Sequence, residues 1–359
     1  MFGKREEAMK KVLIILAVVF VLVLVLVLGG VLVRRFLVQP LADPLAIDTT
    51  PQEEFVLLPT EAAEDTEESE ATDAPAPTKV PQPTKESQAP AGDQGLCGNI
   101  GKIKILMVGA DYSIGMPPFG ADAIRVLQID FDNATMSTVA FPRALVVNTN
   151  ALGDPLKSQM ELGTSFYEMK QVAQGNNTDK VVAATSLLAQ VMYDNFEVNP
   201  NYYITFQLDS IGAVIDAIGG VEIDQPEAIT TERNVSFPAG KQTLNGRMVT
   251  EYVRAKTPGG ESARLQRQER VMNALQKKLL SADFAMGLPE LLAQFQGAIV
   301  TDLSPEQLLS IACAYEQIPN SSETYKSVMG SQYVSTDENG KLFPKVNEIK
   351  DLLEDSFGN

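Results

Sequence analysis

The feature that most constrains this chain is an unbroken apolar run, Val12 to Val33, with 22 positions and no charge. At ~1.5 Å per residue, a helix over it spans roughly 33 Å, about one bilayer hydrocarbon core. Lys4, Arg5, Lys10 and Lys11 precede the run, and Arg34 and Arg35 follow it. The basic excess on the short N-terminal side places that side in the cytoplasm. A cleavable signal peptide is the competing reading. Its apolar core runs to only ~7–15 residues and ends in a small-residue cleavage site. Here Gly29-Gly30 leads into Val-Leu-Val-Arg-Arg. The pattern therefore predicts an uncleaved single-pass anchor, with the remainder on the outer side of the cell membrane.

Beyond the anchor the composition changes. From Leu41 to about Asp93 the chain carries 13 acidic residues against Lys79 and Lys85, with prolines throughout. High charge and high Pro with few aromatics cannot form a core, so a disordered, self-repelling stalk is predicted. The chain then divides into four parts: a cytoplasmic tail over 1–11, an anchor over 12–33, an acidic Pro-rich linker over 34–95, and an extracellular domain over 96–359. That domain has 21 basic and 31 acidic residues, −10 of the total −17. An average charge of that sign argues against a nucleic-acid partner, because phosphates would be repelled.

The 359 residues include no His, no Trp and two Cys. No Ser-His-Asp triad and no His-ligated zinc or iron can form. Any metal must be held mainly by oxygen, which favours Mg²⁺, Mn²⁺ or Ca²⁺. Cys97 and Cys313 stand near the two ends of the domain. An oxidising compartment permits a disulfide between them, and two buried free thiols are the alternative.

Periodicity predicts strands over 103–108, 124–131, 135–141, 202–206 and 221–224, the second and third joined as a hairpin through Asp132-Asn133. Helices are predicted over 180–194, 209–218 (Asp209 as N-cap, Gly219-Gly220 as stop), 244–254, 264–280, 288–297, 305–315 and 345–355. No regular βαβ repeat is present. The expected fold is α/β, or α+β-like: a mixed central β-sheet covered by helices on both faces, preceded by one transmembrane helix and a disordered stalk.

Three segments could carry chemistry. Asp111, at the end of the first strand, and Asp122, entering the second, could place two hard oxygen ligands on one divalent ion; they could equally cap turns. Arg143, in Phe141-Pro142-Arg143, could bind an anion bidentately or form an ordinary surface ion pair. Lys157, in the following loop, could bind an anion too or be an ordinary solvated loop lysine. Arg254 and Lys256, followed by Arg264, Arg267 and Gln268, gather cationic donors, the last three within a turn of a predicted helix start. A helix N-terminus with guanidinium groups suits a pyrophosphate. A solvated polar helix face, balanced by Glu261 and Glu269, is the alternative.

With these segments in order, the sequence resembles the LytR-CpsA-Psr family of bacterial cell-envelope proteins. The matching stretches are ILMVGADYS, GADAI around Asp122, STVAFPRA, LKSQMELGTSF, YYITFQLDSIGAVIDAIGGVEID, FPAGKQTLNGRMVTEYVRAK and ESARLQRQERVMNALQKKLL. They cover roughly 100–282. The resemblance implies a mixed-sheet domain with a hydrophobic groove for a polyprenyl chain and a cationic mouth for its pyrophosphate. It implies transfer of a glycan or teichoic-acid polymer, as its phosphate, from that carrier to peptidoglycan or another wall acceptor. Carried over, Asp111 and Asp122 hold Mg²⁺ (or Mn²⁺). Arg143, Lys157, Arg254, Lys256, Arg264, Arg267 and Gln268 contact the pyrophosphate or its surroundings, with Arg143, Arg254, Arg264 and Arg267 in the catalytic role. The chain departs from the family pattern at Gly120, Tyr112-Ser113, Ala144, Lys256 and Glu261. These changes open two alternatives: a degenerate protein that binds polyprenyl pyrophosphate or glycan, and a pyrophosphatase acting on the same lipid.

Overall fold

The computed structural model describes residues 38–49, 96–99, 101–111, 120–156, 158–255, 258–279 and 297–358, together with Arg35, Leu291, Gln294 and Phe295. The predicted anchor over 12–33 and most of the predicted linker lie outside these residues. No helix among the described residues is long and apolar enough to cross a membrane.

Six strands form the central sheet. β1 (Lys102–Asp111), β2 (Gly120–Asp130) and β3 (Thr135–Phe141) make an antiparallel meander. The turn between β2 and β3 is tied by the Asp130 carboxylate, which accepts from the backbone N–H groups of Asp132 and Asn133, each at 3.0 Å. β4 (Tyr202–Gln207) lies parallel to β1. β5 (Val221–Gln225) and β6 (Gly240–Leu244) form a separate antiparallel ribbon. β7 (Ile299–Thr301) closes one edge against β4, and β8 (Glu323–Ser327) runs parallel to β3 at the other. The sheet order is β7-β4-β1-β2-β3-β8. The expected mixed sheet is therefore present.

Strand alternation divides the core in two. Leu106, Val108, Val126 and Val139 point to one face, where they meet α1 (Leu162–Val172), α2 (Asn177–Phe196) and the C-terminal helix Val346–Phe357. Ile105, Met107, Leu127 and Ile129 point to the other. There they meet α3 (Ile211–Ala217), α4 (Gly246–Arg254), α5 (Gly260–Leu279) and α6 (Pro305–Gln317). Helices thus cover both faces, as expected.

Several boundaries differ from expectation for local reasons. Asp209 is not an N-cap; residues Leu208–Ser210 form a 3₁₀ turn ahead of α3. Leu244 ends a strand, and Asn245 caps α4 by accepting from the Met248 N–H at 2.9 Å. α5 begins at Gly260, four residues before the predicted start. Arg264 and Arg267 therefore lie beyond its first turn, where the helix dipole is felt most. The predicted helix over 288–297 lies mostly outside the described residues. α1 was not expected from periodicity.

Cys97 and Cys313 are disulfide-bonded, with Cα atoms 5.9 Å apart and a sequence separation of 216. The bond fastens the entry of the domain to α6. Closing so long a loop removes unfolded-state entropy worth on the order of 5 kcal/mol in the chain-entropy picture.

Residues 38–49 depart from the linker expectation. Ala42, Leu45 and Ile47 pack against the core on the α2 side, and the segment makes hydrogen bonds to Gln190, Tyr193, Tyr203 and Asp302. A stretch bearing Pro40 and Pro44 reads as spacer by composition. Its spaced apolar residues nevertheless find a surface to cover.

Candidate functional site

The candidate site sits where β1 and β2 diverge. In the β1–β2 ladder Gly109 pairs with Ala123, but Ala110 pairs with Ala121. Asp122 is therefore the extra residue of a β-bulge, a device that re-aims a side chain out of strand alternation. The bulge turns Asp122 toward Arg143, which follows β3, and Arg143 Nη1 donates to Asp122 Oδ1. Both side chains are partly exposed.

Close backbone packing fixes this corner. The Gly163 N–H at the start of α1 donates to Arg143 O at 2.8 Å. Gly120 has φ +140, and a Cβ there would stand 2.0 Å from Gly163 O. A Cβ on Gly163 would in turn meet Ala121 O at 2.5 Å. The two glycines let α1 press its first turn onto β2, beside Arg143. The departure at Gly120 thus has a local reason: this backbone path admits no side chain.

Next to Asp122 is a cavity of about 100 Å³ on the α3–α5 side of the sheet. Its walls are apolar: Ala123 from β2, Leu208 and Ile211 around the start of α3, Val249 and Val253 from α4, and Val271 and Met272 from α5. Asp122, Thr250, Arg254, Arg264 and Gln268 add the polar groups. Small residues make room for it; a Cβ on Gly109 would meet Leu208 Cδ2 at 3.1 Å and Ala123 Cβ at 3.2 Å. α3 and α4 pack closely through Gly212 and Gly246, where a Cβ on Gly246 would fall 1.9 Å from Gly212 O.

The cationic residues are positioned differently from one another. Arg254, in the last turn of α4, is 58 % exposed at its side chain and pairs with Asp209, Nη2 to Oδ1 at 3.2 Å. Arg264 is 8 % exposed. Arg267 is 2 % exposed and points into the α4–α5 connection. It donates to the carbonyls of Tyr252 at 3.1 Å, Pro258 at 3.3 Å and Ala255. Burial holds its guanidinium below the ordinary arginine value. Gln268 Nε2 donates to Val253 O at 3.3 Å. Arg267 and Gln268 therefore shape the connection that carries Lys256, and Arg254 and Arg264 flank the cavity. Lys157 and Lys256 lie outside the described residues.

Asp122 is the sole carboxylate among the described residues lining the cavity. Asp111 pairs with Gly120 in the backbone ladder, two positions from Asp122 in the neighbouring strand. Among the described residues no cluster of three or more acidic or sulfur ligands gathers. One or two carboxylates completed by substrate phosphate oxygens and water suit Mg²⁺, which rarely takes an all-protein cage. Asp122 supplies one such carboxylate at the edge of the cavity.

Sequence reasoning named Asp122, Arg254, Arg264 and Gln268, which the fold brings together. It missed Asp209 as the partner of Arg254 and the cavity wall. The wall residues carry a helical apolar period that reads equally well as core.

The comparisons with known proteins agree with this architecture. The LytR_cpsA_psr family model matches residues 59–352. Regulatory protein MsrR of Staphylococcus aureus (strain COL) is 26% identical over 208 residues, 57% of this chain and 58% of that protein. This chain therefore spans less than two thirds of that relative. Polyisoprenyl-teichoic acid–peptidoglycan teichoic acid transferase TagU of Bacillus cereus is 26% identical over 224 residues, 62% of this chain and 67% of that protein. Among solved structures, B. subtilis TagV superposes with a TM-score of 0.56 at 20% identity, covering 72% of this chain and 98% of TagV. TagT bound to LI-WTA superposes with a TM-score of 0.51 at 15% identity, covering 75% and 98%. The mixed sheet, its two helical layers and the matched residues agree: the chain belongs to the LytR_cpsA_psr family.

Proposed function

We propose that this chain is a membrane-anchored phosphotransferase. It moves a glycan or teichoic-acid-type polymer, as its phosphate, from a polyprenyl pyrophosphate to a hydroxyl of peptidoglycan or another wall acceptor. The observation that carries this reading is the apolar cavity with Asp122, Arg254 and Arg264 among its lining residues. An isoprenoid chain needs apolar walls, and its pyrophosphate needs concentrated positive charge. The family membership and the named activity of TagU point the same way.

In this reading the acceptor oxygen bonds to the glycan-side phosphorus. The bridging P–O bond breaks, and its electron pair leaves on the polyprenyl phosphate. The hydroxyl proton departs to solvent. Arg254 and Arg264 bind the pyrophosphate and neutralise charge growing on the leaving lipid phosphate. Arg143 orients Asp122 and stands ready for the outer phosphate. Lys157 and Lys256 add positive charge nearby. Arg267 and Gln268 hold the α4–α5 connection in place. Asp122, with Asp111, would hold Mg²⁺ or Mn²⁺, which supplies further charge neutralisation when bound. No protein nucleophile is needed, in keeping with the absence of His.

Ala144 leaves Arg143 without the adjacent carboxylate usual in the family, which favours a second reading: a protein that retains lipid-linked precursors without turnover. The purified protein with Mg²⁺, a polyprenyl-pyrophosphate-linked glycan and peptidoglycan separates the two. Appearance of wall-linked glycan supports transfer. Recovery of intact carrier supports retention, and release of soluble glycan phosphate together with polyprenyl monophosphate supports hydrolysis.

A further inference from the structure

We propose that residues 38–49 form a strap that holds this domain directly against the membrane, so that the length of the acidic segment 50–95 does not set the height of the domain. The membrane half of this rests on the anchor reading of 12–33.

The strap is bound by a set of directional contacts. The Asp48 N–H donates to Gln190 Oε1 at 2.6 Å, and Gln190 Nε2 donates back to Asp48 O at 3.0 Å. Tyr193 Oη donates to Thr49 O at 3.1 Å, and Tyr203 Oη to Asp43 O at 3.2 Å. The Leu45 N–H reaches Asp302 Oδ2 at 3.4 Å, while Asp302 Oδ1 accepts from the Tyr203 N–H at 2.8 Å. These partners lie on α2, on β4 and just after β7, so one segment bridges three elements. Between the bonds, Ala42, Leu45 and Ile47 pack on the core.

The consequence is metric. Only residues 34–37 separate the end of the apolar run from the start of the strap. Fully extended, they reach ~14 Å. A flexible linker over 34–95 would average roughly 40 Å and extend much further. Residues 50–95 join two attached points, because Thr49 is bonded to α2 and Cys97 to Cys313. Their length therefore does not set the height of the domain. Val38 and Leu41, next to the apolar run, are 52 % and 42 % exposed, large apolar side chains left outward where lipid would lie. A short tether also suits the proposed chemistry, since a polyprenyl pyrophosphate presents its head group at the bilayer surface.

The test uses the full chain in lipid nanodiscs, with a donor fluorophore on exposed Lys241→Cys and acceptor-labelled lipid. Deleting 60–85 is expected to leave energy transfer unchanged, and inserting a 20-residue Gly/Ser segment after Phe36 to lower it. The reverse pattern overturns the proposal. Hydrogen exchange on the same samples reads the docking itself. The Leu45 and Asp48 amides are expected to exchange about tenfold faster in Gln190→Ala/Tyr203→Phe, with β1 unaffected. Unprotected Leu45 and Asp48 amides in the unaltered protein overturn the strap. Failure of the chain to insert into lipid overturns the anchor reading and the membrane half with it, while exchange still decides whether the strap docks.

Discussion

Arg143 donates to Asp122 across the open ends of β3 and β2, and it can do so because Asp122 is the bulged residue opposite Gly109 and Ala110. In a regular ladder the alternation of side chains would not aim Asp122 as the bulge does. The pair holds the carboxylate at the edge of the cavity. Asp122→Asn keeps the size but loses the charge. It is expected to lower transfer by roughly 10²–10³-fold, the scale of losing one preorganised electrostatic group. Thermal stability should change little, since the pair is partly exposed. Turnover by the purified variant, with circular dichroism as a fold control, checks this.

Arg254 and Arg267 should separate binding from stability. Arg254 makes one exposed ion pair, so Arg254→Ala is expected to alter stability by no more than ~0.5 kcal/mol. Its affinity for polyprenyl pyrophosphate should nevertheless fall about tenfold or more. Arg267→Ala strands the carbonyls of Tyr252, Ala255 and Pro258 and is expected to destabilise by ~3 kcal/mol. Urea unfolding and lipid-binding titrations on both variants read the two effects.

Gly120→Ala is expected to be among the most damaging single-methyl changes. The residue has φ +140, and the new Cβ would overlap Gly163 O at 2.0 Å. Displacing the first turn of α1 would move Arg143, because Gly163 holds its carbonyl. The cost should be about 3 kcal/mol or more. Differential scanning calorimetry of the variant measures it.

Asp302 should give stability an unusual pH slope. Burial pushes its carboxyl up to about 6, against the pull of backbone donors at Tyr203 and Leu45. An unfolded Asp titrates near ~3.9. Between those values the folded chain holds a proton that the unfolded chain has lost. The Asp302 contribution is therefore fully present below about pH 4 and is lost as pH rises through about 6. Asp302→Asn should remove this contribution, so its stability relative to the unaltered protein should improve from about pH 4.5 to about pH 7. A difference independent of pH would contradict the assignment.

The meander β1–β3, the helix α2 and the two-faced character of the sheet were legible because their apolar residues repeat with clear periods. α1 was hidden because its first turn carries the weak helix formers Gly163-Thr164-Ser165, and its place depends on contact with Gly120 and Arg143. The cationic cluster was legible as composition, but the division of labour within it was not. Arg254 and Arg267 look alike in sequence; only the fold sends one to the surface and the other into backbone carbonyls. The strap was hidden for the same reason. Composition at 34–95 reports an average, whereas docking at 38–49 depends on Gln190, Tyr203 and Asp302, residues far along the chain.

The most direct measurement follows the glycan-side phosphorus. A polyprenyl-pyrophosphate-linked glycan radiolabelled at that phosphorus is incubated with the purified protein, Mg²⁺ and peptidoglycan. The expected result is label bound to peptidoglycan together with the glycan, and an equal amount of unlabelled polyprenyl monophosphate. Label released as soluble glycan phosphate, or kept on the lipid, would contradict a phosphotransferase.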